Sequence, residues 1–145
     1  MGSRETYSRF AQYYDLYVGS FDRDLPLYRS LCCSAQNILE IGCGTGRVLP
    51  TLLKTGFRVT GIDISDEMLD ASRAKLSEYV ESGALQLKNH DFREAPLPEK
   101  YDRVLVTWYT YLWNNNFNPR GGWTDENDGM GGDVRMLRVS VWLWS

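Results

Sequence analysis

The stretch Gly42-Cys43-Gly44-Thr45-Gly46 sets three glycines at alternate positions. Such a run lets the main chain approach a ligand closely, because a Cβ at these places would clash or forbid a positive φ. A helix following the turn points its free N–H groups into the same space, so a ligand carboxylate or a ribose can rest directly on backbone. The dinucleotide fingerprint G-x-G-x-x-G would place its third glycine where this chain has Arg47, so the match to nicotinamide-type spacing is incomplete. Glu40, two residues before the first glycine, is expected to be partly buried and to hold the turn through backbone N–H groups. Cys43 inside the turn reads as a small space-filler rather than a nucleophile. His90 is the sole histidine. Its near-neutral pKa suits a general base, but beside Asp91 at a strand end it reads as a solvated turn residue.

The elements that must position these groups follow from hydrophobic periodicity. Residues 4–18 space Tyr7, Phe10, Ala11, Tyr14 and Tyr17 as an amphipathic helix, with Arg4, Glu5, Arg9 and Asp15 between them. Asp22 to Cys33 is a second helical stretch with Pro26 in its first turn. From Asn37, the apolar Ile38, Leu39 and Ile41 predict a buried parallel strand that stops at glycine. Gly44 to Lys54 then carries Val48, Leu49, Leu52 and Leu53 on one helical face, closed by Gly56 as a left-handed cap. Phe57 to Ile64 is the second strand, and Ser65 with Asp66 and Glu67 opens a helix running to about Glu81. Ala84 to His90 is a third strand and Tyr101 to Tyr109 a fourth, with a link between them, Phe92 to Lys100, that holds no full helix. This alternation is an α/β pattern built on a mostly parallel sheet.

In combination these segments resemble the class I, Rossmann-like S-adenosylmethionine-dependent methyltransferases. Glu40-Ile41-Gly42-Cys43-Gly44-Thr45-Gly46 is similar to that family's first motif, and Gly61-Ile62-Asp63-Ile64-Ser65 with Met68-Leu69 to its second-strand motif. The resemblance implies that Asp63 accepts hydrogen bonds from the ribose hydroxyls, each worth about 1.5 to 3 kcal/mol to a charged acceptor. It implies too that Ile64 and Met68 pack against the adenine. Asn89-His90-Asp91-Phe92 looks like the adenine-reading motif, in which Asp91 takes the exocyclic amine and Phe92 offers its backbone N–H. Tyr101 to Val106 resembles the fourth-strand motif, with Thr107 at its ligand end. The tyrosine-rich start from Phe10 to Leu16 looks like the helix that closes over the cofactor, with Tyr14 against it. The ordinary alternatives stay open: Asp63 as a cap for the helix at Ser65, Asp91 as a turn closer before Pro96, Tyr14 as core.

The resemblance spans roughly residues 7–110 and implies a doubly wound, mostly parallel sheet with four recognisable strands and S-adenosylmethionine as cofactor. It divides the chain into a cofactor-binding domain with a helical cap over 1–113 and an irregular tail over 114–145. In that tail Asn, Gly and Asp dominate up to Asp133, and Arg138 to Trp144 alternates as one further strand. The family continues past strand four with further βα units and a reversed hairpin. Residues 114–145 are too short to build them, so the tail reads as truncated or shifted in frame relative to the family. An unpaired sheet edge would then be covered by the tail or by a second copy in a homodimer.

Methyl transfer from a sulfonium is an in-line displacement for which alignment alone supplies about 7 to 11 kcal/mol, so no catalytic side chain need announce itself. The expected acceptor is a small molecule, and the aromatics of Thr107 to Tyr111 suit a planar or a cationic group. A non-catalytic cofactor-binding fragment, or an interaction module derived from such an enzyme, is the second reading. The 16 Lys and Arg against 19 Asp and Glu, a formal charge of −3, argue against an obligatory nucleic-acid partner. Three cysteines without zinc-site spacing suggest reduced thiols and no metal. Asp125-Glu126-Asn127-Asp128-Gly129 mimics a calcium loop only superficially, since Met130 stands where the sharp turn needs glycine. Met1 to Phe10 holds no apolar run fit for a signal peptide and no window is long enough to span a bilayer, so a soluble cytoplasmic protein is expected.

Overall fold

The computed structural model describes residues 13–16, 18, 21–91 and 97–107. Within the expected N-terminal helix, 13–16 and 18 are helical. Tyr7, Phe10, Ala11 and Tyr17 of that helix lie outside the described residues, as do Phe92, the aromatics after Thr107 and the tail with its expected strand at Arg138 to Trp144.

The described chain forms α1 (Leu25–Leu31), β1 (Asn37–Ile41), α2 (Leu49–Leu53), β2 (Arg58–Asp63), α3 (Asp66–Lys75), α4 (Ser77–Glu81), β3 (Leu85–Asn89) and β4 (Arg103–Val106). The four strands make one sheet in the order β3-β2-β1-β4, parallel throughout. Central β1 is buried over Ile38 to Ile41, as a strand covered on both faces must be. Ile38 joins a core with Tyr28, Leu49, Leu52, Leu53, Leu69 and Leu105 beneath the helices, while Leu39 and Ile41 join Ile62 and Val104 on the opposite face. The pleat thus sends Glu40 to the helical side with Ile38.

Register decides where chemistry can gather. Ile41 pairs with both Ile62 and Val106, and Asp63 pairs with Asn89. The carboxyl ends of the strands therefore finish level, and the residues that end or follow them, Gly42, Asp63, Asp91 and Thr107, share one edge. The chain runs outward from β1 through β2 to β3 and then returns to the other side of β1 as β4, so a topological switch point, the usual ligand crevice of such sheets, lies between β1 and β4.

Two helices depart from the periodicity. The helix expected from Gly44 begins only at Leu49. Gly44 and Gly46 have φ of 55° and 83°, values a right-handed helix cannot contain, and Pro50 must sit in the first turn. The helix expected from Ser65 to Glu81 is interrupted at Leu76, whose φ of −120° and ψ of 26° leave the helical region while its side chain enters the core. The start of α3 follows expectation: the Ser65 hydroxyl accepts from the Met68 N–H, acids fill the first turn and Arg73 and Lys75 the last, matching the helix dipole. Among the described residues no helix is long and apolar enough to cross a membrane.

Candidate functional site

The glycine turn is fastened to the neighbouring strand. The Gly42 and Cys43 N–H groups donate to the Ile62 carbonyl at 2.8 and 3.0 Å, and the Gly46 N–H to the Cys43 carbonyl at 2.9 Å. Asp63 joins the turn to the start of α3: its Oδ2 accepts from the Gly44 N–H at 2.9 Å and its Oδ1 from the Ser65 N–H at 3.0 Å. Partial burial pushes the Asp63 carboxyl up, against the pull of these backbone donors. Gly46 has no room for another residue, since a Cβ there would lie 2.6 Å from the Ser72 Oγ. Gly61 is equally constrained, because its missing side chain makes way for the Cys43 Sγ.

Glu40 differs from expectation. It is 1% exposed rather than partly buried. Its Oε1 accepts from the Thr107 hydroxyl at 3.2 Å, whereas its Oε2 has no hydrogen-bond partner. The turn is held instead by Ile62 and Asp63, while Glu40 precedes the turn within the strand and its carboxyl bonds to Thr107, just past the neighbouring β4. Burial drives its pKa up to about 8, only partly offset by the Thr107 hydroxyl and the Arg47 charge.

Two polar clamps bring the N-terminal segment onto this edge. Asp15 accepts from the buried Thr45 hydroxyl at 2.5 Å and from Lys75 Nζ of α3 at 2.8 Å. Arg47 makes a bidentate pair with Asp24 at 2.8 and 2.7 Å, donates to the Phe21 carbonyl at 2.9 Å and stands 5.8 Å from the centre of the Phe21 ring. Asp24 is almost fully buried before α1, so the guanidinium is its necessary counter-charge. Between the clamps a pocket is lined by Tyr14, Val18, Phe21, Glu40, Gly42, Cys43, Arg47, Val48 and Thr107. Tyr14 stands over Gly44, where a Cβ would lie 3.9 Å from its ring.

Of the residues singled out in the sequence, Tyr14, Glu40, Gly42, Cys43 and Thr107 line this one pocket, and Gly44, Thr45, Gly46 and Asp63 adjoin it along the turn. Ile64, Met68 and Asp91 are at the same sheet edge but do not line it; Met68 is 2% and Asp91 8% exposed. Phe92 lies outside the described residues. Burial pushes the Cys43 thiol well up, as a packed thiol requires. Val18, Phe21 and Val48 of the lining were not foreseen, nor were Asp15, Asp24 and Lys75 behind it. Asp15 carried one signal, an acid set among tyrosines at helical spacing, but nothing local names Thr45 as its partner.

The sequence profile of the methyltransferase domain family matches residues 38–119, more than half of the 145-residue chain. The chain belongs to this family. A demethylmenaquinone methyltransferase of Tropheryma whipplei (strain Twist) is 34% identical over 113 residues, 72% of this chain and 46% of the relative. The CcbJ methyltransferase of Streptomyces caelestis superposes with a TM-score of 0.53 at 30% identity, covering 61% of this chain and 36% of that one. A putative S-adenosyl-L-methionine-dependent methyltransferase of Methanococcus maripaludis shares the fold at a TM-score of 0.62 and 16% identity, covering 74% and 53%. The chain spans less than half the length of the curated relative named here. The four described strands of this methyltransferase domain are parallel, with β4 paired on one side only among the described residues.

Proposed function

We propose that this methyltransferase domain binds S-adenosylmethionine at the carboxyl edge of β1 and β2 and serves methyl transfer to a small-molecule acceptor. The observation that carries the reading is Glu40: a buried carboxyl whose Oε2 is unpartnered, set in the wall of a pocket at the switch point of the sheet. A ligand with a positive group fits such a wall. The pyrophosphate of a nicotinamide dinucleotide fits it poorly, since it would meet Glu40 and Asp63 while Arg47, the cation lining the pocket among the described residues, is committed to Asp24. The solved relative described as S-adenosyl-L-methionine-dependent lends the same cofactor to this reading.

In this reading Glu40, Gly42, Cys43, Gly44, Thr45 and Gly46 cradle the amino-acid end and Asp63 takes the ribose hydroxyls. Ile64, Met68, Asp91 and Phe92 form the adenine side, and Tyr14 covers the ligand. Each Asp63 oxygen keeps a lone pair beyond its backbone bond, so capping α3 and accepting from a ribose are compatible. The bound cofactor supplies an activated methyl whose bonding electrons stay with sulfur as the acceptor's lone pair forms the new bond. The residues named here contribute position and exclusion of water, effects able to supply about 7 to 11 kcal/mol by alignment alone. The working domain is taken as 1–113, with 114–145 as an appended tail. A second reading is cofactor binding without turnover.

Calorimetric titration with S-adenosylmethionine, S-adenosylhomocysteine and NAD tests this. The first two are expected to bind and NAD to give no heat. Silence with both sulfur ligands would remove the cofactor assignment, and binding without methylation across an acceptor panel would select the second reading.

A further inference from the structure

We propose that Glu40 is neutral in the ligand-free protein and surrenders its proton when a cationic ligand enters, so that cofactor uptake releases a proton to solvent. The proposal rests on the S-adenosylmethionine reading for the identity of the cation and goes beyond it in giving the site a proton-linked affinity.

Among the described residues, little holds Glu40 as an anion before a cationic ligand enters. The residue is 1% exposed, so bulk water solvates a charge there poorly. Its single hydrogen bond comes from a neutral hydroxyl, Thr107 Oγ1, and Oε2 receives none. A buried carboxylate is tolerated when it is paired or multiply hydrogen-bonded, and otherwise it takes up a proton.

The charged and titratable groups facing Glu40, among the described residues, do not change this. Arg47, from the turn after β1, is the cation on this side, and both its terminal nitrogens are engaged by Asp24. Asp24 itself, before α1, and Asp63, at the end of β2, add negative potential that disfavours a second anion. Tyr28 of α1 and Cys43 of the turn are both held neutral by burial, Tyr28 at about 12 and Cys43 well above its ordinary value. The carboxyl accordingly titrates near 8 rather than in the ordinary carboxylate range.

An incoming ammonium or sulfonium supplies the missing counter-charge beside the unpartnered oxygen. The ionised form then becomes the favoured one, and the proton passes to buffer. By linkage, a site that must lose a proton to bind gains affinity as pH rises: close to tenfold per pH unit while the free protein is protonated and the complex is not. The slope flattens as the medium approaches the pKa of the free carboxyl, about 8.

The test is calorimetric titration of S-adenosylmethionine into the purified chain at about pH 6.5, in phosphate and in Tris, buffers of very different protonation enthalpy. Close to one proton released per ligand is expected, read from the difference in observed heat between the two buffers. Affinity should also rise by roughly fifty- to a hundredfold from about pH 5.5 to about pH 7.5. Glu40→Gln, which keeps shape but removes both the titration and the counter-charge, should bind more weakly, with heats independent of the buffer's protonation enthalpy and with a flat pH profile. Equal heats in the two buffers for the wild-type chain would overturn the proposal while leaving cofactor binding intact. Proton release that persists in Glu40→Gln would overturn it by assigning the proton elsewhere, and absence of binding in both buffers would remove the cofactor reading and this proposal together.

Discussion

Glu40 and Asp63 lie on adjacent parallel strands and on one face of the sheet, yet their surroundings are opposite. Glu40 pairs in register with Gly61, so Asp63 stands two residues, about 7 Å, further toward the ligand edge. That step separates a carboxyl sealed in the core with one hydroxyl partner from one at the strand end receiving two backbone N–H groups. On the Glu40 side, charge is managed by side chains: Arg47 with Asp24, and a proton on Glu40. On the Asp63 side it is managed by main chain. Side-chain solutions fail when one partner is removed, whereas main-chain donors persist whatever the side chain.

The largest expected effect is therefore on the Glu40 side. Arg47→Ala would leave Asp24, whose side chain is 3% exposed, buried without its counter-charge. A loss of about 3 to 5 kcal/mol of unfolding free energy is expected, measured by urea denaturation. A loss below about 1 kcal/mol would mean that Asp24 finds water or a proton at little cost, erasing the contrast between the two sides.

Next comes the pH dependence of stability. The folded Glu40 carboxyl titrates near 8 and the ordinary carboxyl at 4.5, so over that interval the folded state holds a proton that the unfolded chain has lost. Stability then falls as pH rises from about 4.5 to about 8 and levels off above, with a total on the order of 3 to 5 kcal/mol from this residue. Glu40→Gln should flatten that part of the profile and be the more stable protein at about pH 8.5. Parallel denaturation profiles for the two proteins would show that Glu40 is as well solvated as Asp63.

Asp63→Ala should weaken S-adenosylmethionine binding by about 2 kcal/mol or more through loss of charged hydrogen bonds. Unchanged affinity would reduce Asp63 to a fastening between the turn and α3. The smallest effect is expected at Ser65→Ala, which removes the side-chain acceptor of the Met68 N–H and should cost about 1 kcal/mol of stability. Retained affinity in that variant would show that Asp63 is positioned by backbone alone, while a matching loss of affinity would tie the ribose side to the α3 cap.

Much of the frame was legible from pattern. The four strands, the caps at Gly56 and Ser65 and the place of Asp63 follow from short-range rules of periodicity and side-chain chemistry. The helix after the turn was misjudged at its start because apolar periodicity from Val48 to Leu53 masks the left-handed glycines before it. Pattern alone makes Glu40 no more than partly buried, because an acid in a strand carries no mark of how deeply its strand lies. Asp15, Asp24 and Lys75 were missed because their partners are 23 to 60 residues away.

By itself the sequence determined the order of elements, the positive-φ turn and the kind of ligand that turn can hold, since backbone conformation and capping depend on neighbours a few residues apart. Tertiary structure alone decided the protonation of Glu40, the commitment of Arg47 to Asp24 and the seating of Asp15 on Thr45. The physical reason is that burial and charge pairing are set by groups brought together in space across the switch point, and spacing along the chain does not encode those distances.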